Sequence, residues 1–125
     1  MNWLIFAAGV LAAFTALLHI FVGGRDIARP LLASELSEEV KLTVYGCWHI
    51  VTVYLVISAV SLLVASFGLV PAPESLVAFI SASWVLFGLL FVAVTLGLAK
   101  PRGIFRFPQW ALLIPVGMLG FWGLA

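Results

Sequence analysis

His19 and His49 are the only imidazoles in this chain, and each lies inside an apolar stretch. Polar and ionisable groups are expensive in such surroundings, so they mark sites of ligand handling, proton transfer or helix–helix bonding. Helical spacing gathers further groups around them. Thr15, His19 and Asp26 share one helix face, at offsets of 4 and 7, while Glu38, Tyr45, His49 and Thr52 share another, at offsets of 7, 4 and 3. If the two faces meet, they bring together two imidazoles, a phenol and two hydroxyls, with two carboxylates at the rim. Arg25 and Arg29 would then close the mouth of the cluster. Cys47 and Trp48 fall on other faces of the second helix.

Three readings compete for the histidine pair. In the first, each ring bonds a backbone carbonyl, a threonine or a tyrosine and holds two helices together, worth about 0.6 kcal/mol per bond in membranes. In the second, the pair binds a metal or haem, since neutral imidazole is the commonest metal ligand. His19 and His49 would then hold b-type haem axially, or seed a zinc or copper site with Glu38, Asp26 or Cys47. A closed zinc site takes four ligands, of which this pattern secures two. In the third, the pair forms a proton or substrate site in a transporter or membrane enzyme, because histidine changes charge near neutral pH.

The acidic residues around the pair have two readings as well. Asp26, Glu35, Glu38 and Glu39 stand beside Arg25, Arg29 and Lys41. They form either a solvated interfacial loop with weak ion pairs or an anionic rim that guides a cation toward His19 and His49. A phosphate-binding glycine loop, a His-Glu-x-x-His motif and a Cys-x-x-Cys pair are all absent from the sequence. Ser58, Ser61, Ser81 and Ser83 have no histidine at a spacing that suggests a nucleophile.

The elements that must position these groups follow from composition. The chain has 125 residues, 65% hydrophobic and only 9% charged, with a mean hydropathy of +1.27. A soluble domain carries about a quarter charged residues to cover its surface. Lipid is the solvent that tolerates this composition, and the same numbers exclude disorder. A net charge of +1 argues nothing about acidic partners, and no basic stripe is present for nucleic acid. The lone Cys47 allows no intramolecular disulfide.

A spanning helix needs about 20 apolar residues, and four segments qualify: 3–23, 40–67, 76–99 and 108–125. The first reads as a retained helix, because no basic residue precedes it as in a secretory leader. Gly23-Gly24 is expected to end it in a left-handed turn, and Pro30 to open a short interfacial helix over 31–36. Ser37 is placed to cap the second span, with Glu38 and Glu39 at its positive end. Pro71 and Pro73 mark a tight turn, Pro108 is expected at the first helical position of the fourth span, and Pro115 should kink it.

Charge sets the expected orientation. The 6 basic residues are Arg25, Arg29, Lys41, Lys100, Arg102 and Arg106, and all lie in or beside the first and third connections. The positive-inside rule makes loops 24–39 and 100–109 cytoplasmic and both termini external, in a plasma (inner) membrane. Arg25-x-Ile27-x-Arg29-Pro30 is echoed by Arg102-x-Ile104-x-Arg106-Phe107-Pro108, which reads as a duplication or as two similar basic loops. Trp3, Trp110 and Trp122 fit interfacial anchors, while Trp48 and Trp84 lie deeper, in packing or in a stacking pocket. Ala8, Ala12, Ala16, Gly117, Gly120 and Gly123 allow helices to approach closely, within one chain or between two.

The sequence thus predicts an all-α, four-helix transmembrane bundle with short loops, N-out and C-out, as one domain over residues 1–125. The expected function is that of a small transporter, channel or accessory subunit, assembled as a homo-oligomer or within a larger membrane complex. Its site would be the His19/His49 cluster. The alternatives are a membrane enzyme or redox protein holding haem b or a transition metal through the same histidines, and a structural subunit of a membrane complex.

Overall fold

The computed structural model describes residues 1–98, 103–106 and 108–125, with backbone alone at 98, 103 and 106. Every regular element among them is helical. α1 (Trp3–Leu18) leads into a π-helical segment (His19–Ala28) and then α2 (Arg29–Leu32). These three form one continuous helical rod of 30 residues. α3 (Glu38–Ser66) and α4 (Glu74–Leu98) follow, then the short α5 (Gly103–Arg106) and α6 (Trp110–Trp122). The first rod, α3 and α4 are each long and apolar enough to cross a membrane; α6, with 13 residues, is shorter but equally apolar. Of the residues expected in the third connection, Lys100 and Arg102 lie outside the described residues, as does the Arg106 side chain.

Asn2 ties three helix ends together. Its side-chain oxygen accepts from the Leu4 and Ile5 amides and caps α1, as a short polar residue does at a helix start. Its side-chain amide donates to the Gly123 carbonyl at 2.6 Å, and its backbone amide donates to the Ser66 carbonyl at 2.9 Å. The N-terminus of α1 and the C-termini of α3 and α6 therefore meet at one end. α1 runs antiparallel to both α3 and α6, and the two chain termini share a side.

α1 packs against α3 on one side and α6 on the other, and α6 packs extensively on α4. Small residues make these contacts close. Ala8 and Ala12 are fully buried, Ala16 nearly so. A Cβ on Gly9 would collide with Leu63 of α3, and one on Gly88 with Ile114 of α6. Cβ atoms on Gly117 and Gly120 would run into Ser81 of α4, and one on Gly123 into Ile5 of α1. The alanine and glycine stripes thus serve packing within the chain. α3 and α4 touch over a limited stretch, where the fully buried Trp84 donates from Nε1 to Ser58 Oγ at 3.0 Å. Ser58 in turn donates to the Leu55 carbonyl, so neither polar group is left unmet in the core.

Four expectations about helix ends are corrected. Gly23-Gly24 does not end the first helix; the rod runs through it to Leu32. The left-handed glycine is Gly68, with φ +73°, after α3. There the Leu69 amide bonds the Val64 carbonyl and the Gly68 amide bonds the Ala65 carbonyl, the paired bonds of a Schellman motif. The helix opened by Pro30 is correspondingly short and ends at Leu32 instead of reaching Leu36. Ser37 does stand at the start of α3, with Glu38 and Glu39 in the first turn, but its side chain makes no capping bond. α6 begins at Trp110, two residues after Pro108, and Trp110 Nε1 donates to the Ile104 carbonyl, fastening α5 to it.

Candidate functional site

The π segment positions the site. Such segments are rare, are mostly single turns, and occur frequently at functional sites; this one runs for 10 residues and starts at His19. It widens the rod where the rod faces the N-terminal half of α3. The reason the chain stays helical through Gly23 is a tertiary contact. The Trp48 indole lies over Gly23 so closely that a Cβ there would sit 2.5 Å from its ring. Packing of this kind overrides the low helix propensity of glycine.

His19 meets Trp48, not His49. The two rings are stacked, with centroids 3.8 Å apart and planes inclined by 15°. His19 Nε2 is 3.4 Å from the Trp48 carbonyl oxygen, close enough for a long bond in which the imidazole is the donor. Thr52 Oγ1 donates to the same carbonyl at 3.0 Å. That Trp48 carries this contact was not visible from spacing, which put it on another face. The available signal was Gly23, a bare position at the depth where a large ring could enter.

The remaining expected residues divide into two groups. Thr15 is buried and donates to the Leu11 carbonyl of its own helix at 2.8 Å, so it serves its helix and not a cluster. Asp26 is exposed and paired with its neighbour Arg25, Nε to Oδ1 at 2.6 Å. Glu38 is exposed at the start of α3, away from any partner among the described residues. By contrast Tyr45 and His49 stand together, ring edge to face, with centroids 4.5 Å apart. Both line an open cavity of about 290 Å³ between the π segment and α3. Arg25, Arg29, Trp48 and Thr52 share its wall, and Ile20, Phe21 and Leu32 supply its apolar part.

Depth along the helices matches on the two sides. Counted at 1.5 Å per residue, His19 lies about 24 Å from Trp3, and His49 about 25 Å from Ser66 at the adjoining helix end. The two histidines are therefore level, as expected from a hairpin, although their rings have different partners. The Arg29 side chain makes no hydrogen bond or ion pair among the described residues, and the same holds for the side chains of Tyr45 and His49. A guanidinium, a phenol and an imidazole thus border one cavity with donor capacity to spare. Among the described residues no three histidine, cysteine, aspartate or glutamate side chains gather as metal ligands. His19 has one ring face on an indole and Nε2 toward a carbonyl.

Fold and site together define an all-helical protein with three membrane-compatible helices and a basic-lined cavity at the end opposite its termini. Comparison with known protein families, curated proteins and solved structures finds no match.

Proposed function

We propose that this chain is a four-span bundle of the plasma (inner) membrane, N-out and C-out, that acts as a small transporter in a homo-oligomer or larger membrane complex. The cavity between the π segment and α3 is its working site, with His49 and Tyr45 in the wall and Arg25 and Arg29 at the cytoplasmic mouth. The observation that carries this reading is the convergence of these four polar side chains on one cavity. Imidazole and phenol groups are costly inside a membrane unless they face a pathway, a ligand or a partner. Antiparallel helices and the placement of Arg25, Arg29 and Lys41 away from the termini support the orientation. With 13 residues α6 extends about 20 Å, so its turns at both ends complete the fourth span. Four helices of this length enclose little space, which favours a pathway completed by other subunits.

Reconstitution into zwitterionic liposomes holding a pH-sensitive dye tests the reading. Proton flux above that of empty liposomes, reduced in a folded His49→Ala variant, is the expected result. Flux equal to that of empty liposomes, or unchanged by His49→Ala, contradicts it.

A further inference from the structure

We infer that the cavity between the π segment and α3 binds a phosphate-bearing anion carried on an apolar body, an anionic lipid headgroup. The inference rests on the reading above, in that it assigns a ligand class to the same cavity. Three observations lead to it.

The first is charge. Both cationic side chains on the wall are arginines, and no carboxylate lines the cavity. Asp26 lies outside the wall and binds Arg25 through both guanidinium branches, at 2.6 and 3.1 Å. Arg29 has no such partner among the described residues. Its planar fork is suited to phosphate oxygens, which it can engage with two parallel bonds. Tyr45 and His49 add neutral or cationic donors beside it. A cation, which the acidic residues of this region suggested, would meet two guanidinium groups at the cavity itself.

The second is the apolar part. Ile20, Phe21 and Leu32 line the same cavity and are themselves exposed, Phe21 by 70%. A free inorganic anion gains nothing from such surface, whereas the glycerol and first acyl carbons of a lipid do.

The third is depth. Trp3 to His19 spans about 24 Å of α-helix, and Arg25 and Arg29 lie 6 and 10 residues further along the rod, where the π segment rises less per residue. A hydrocarbon core of about 30 Å, with headgroup layers extending the bilayer to about 40–45 Å, puts both arginines at the level of the second leaflet's phosphates. Basic pockets between helices on the cytoplasmic side take anionic headgroups.

Gly24 offers a way to close the cavity without touching a charge. It lines the wall, and a Cβ there meets nothing within 4 Å. The experiment titrates purified full-length chain in detergent with short-chain phosphatidylglycerol, short-chain phosphatidylcholine and inorganic phosphate, by calorimetry. Saturable binding of phosphatidylglycerol is expected, with phosphatidylcholine and phosphate much weaker. Loss of a charge-assisted bond corresponds to about tenfold or more in affinity, so Arg29→Ala should weaken binding by that factor. Gly24→Leu should do the same by occlusion, and Arg25→Ala should do less, since Asp26 already shares its charge. Phosphate that binds as tightly as phosphatidylglycerol, with the same dependence on Arg29, keeps the anion chemistry but assigns it to a soluble ligand. Equal binding of the two lipids, or binding indifferent to both Arg29→Ala and Gly24→Leu, overturns the inference. The two readings fail separately: proton flux sensitive to His49→Ala without anion binding leaves transport standing, and anion binding without flux leaves the headgroup site standing.

Discussion

The two ends of this molecule are built differently. Near the termini, α1, α3, α4 and α6 interlock through alanine and glycine contacts, and Trp84 is sealed against Ser58 in their midst. At the other end the π segment and the first half of α3 stand beside each other with little else against them among the described residues. All six buried residues of α3 lie from Leu55 onward, and the π segment buries only Ala28. Length explains the difference. The first rod and α3, of 30 and 29 residues, outrun the 13-residue α6, so α6 cannot pack along their far half. What the contrast teaches is that stability and site are separated along the helix axis. One end is close-packed and intolerant of added volume; the other has spare donors, an open cavity and a glycine with room beside it.

Substitutions can break or sharpen this contrast, and the largest effect is expected at Trp84. Removing a fully buried tryptophan leaves a cavity and takes from Ser58 Oγ the hydrogen bond it accepts, so Trp84→Ala should lower stability by about 3–5 kcal/mol. Reversible unfolding in mixed micelles measures it, and a loss below about 1 kcal/mol would argue against a sealed core there. A matched glycine pair comes next. Gly117→Ala drives a methyl into Ser81 and Val85 and should cost about 1–3 kcal/mol. Gly24→Ala has open space and should be neutral or stabilising by up to about 1 kcal/mol, because alanine is the better helix former. Equal effects at the two glycines would erase the distinction between the ends. The smallest effect on stability is expected at Gly23. Its added methyl meets the far edge of the Trp48 ring, which is only half-buried and can move. Gly23→Ala should therefore leave the fold intact but unstack Trp48 from His19. Fluorotryptophan NMR reads this as a shift confined to the Trp48 resonance; no shift there would mean that the ring is not seated on Gly23.

Much of the fold was legible in the sequence. Long apolar runs separated by prolines and charges mark α3 and α4 to within two residues, because hydrophobic length is a strong signal. The stripe Ala8, Ala12, Ala16 and the glycines of α6 were visible as close-approach positions, and they are where helices touch. The run through Gly23-Gly24 was not legible, since local propensity favours a stop and only the distant Trp48 ring overrides it. For the site, spacing put His19 and His49 at one depth and Tyr45 beside His49, and the Tyr45 and His49 rings do lie edge to face. It did not foresee that a π segment changes the angular step between residues. Under that step a heptad-style offset from His19 to Asp26 no longer defines one face, and Asp26 turns to Arg25 at the surface.

The proposed orientation puts the open, arginine-lined end in the cytoplasm and the packed end with both termini outside. Single-cysteine labelling in a Cys47→Ser background tests it most directly. With a membrane-impermeant maleimide on intact cells, Glu74→Cys should label at once and Arg29→Cys only after permeabilisation. Labelling of Arg29→Cys from outside, with Glu74→Cys protected, would mean that the protein sits the other way round in the membrane.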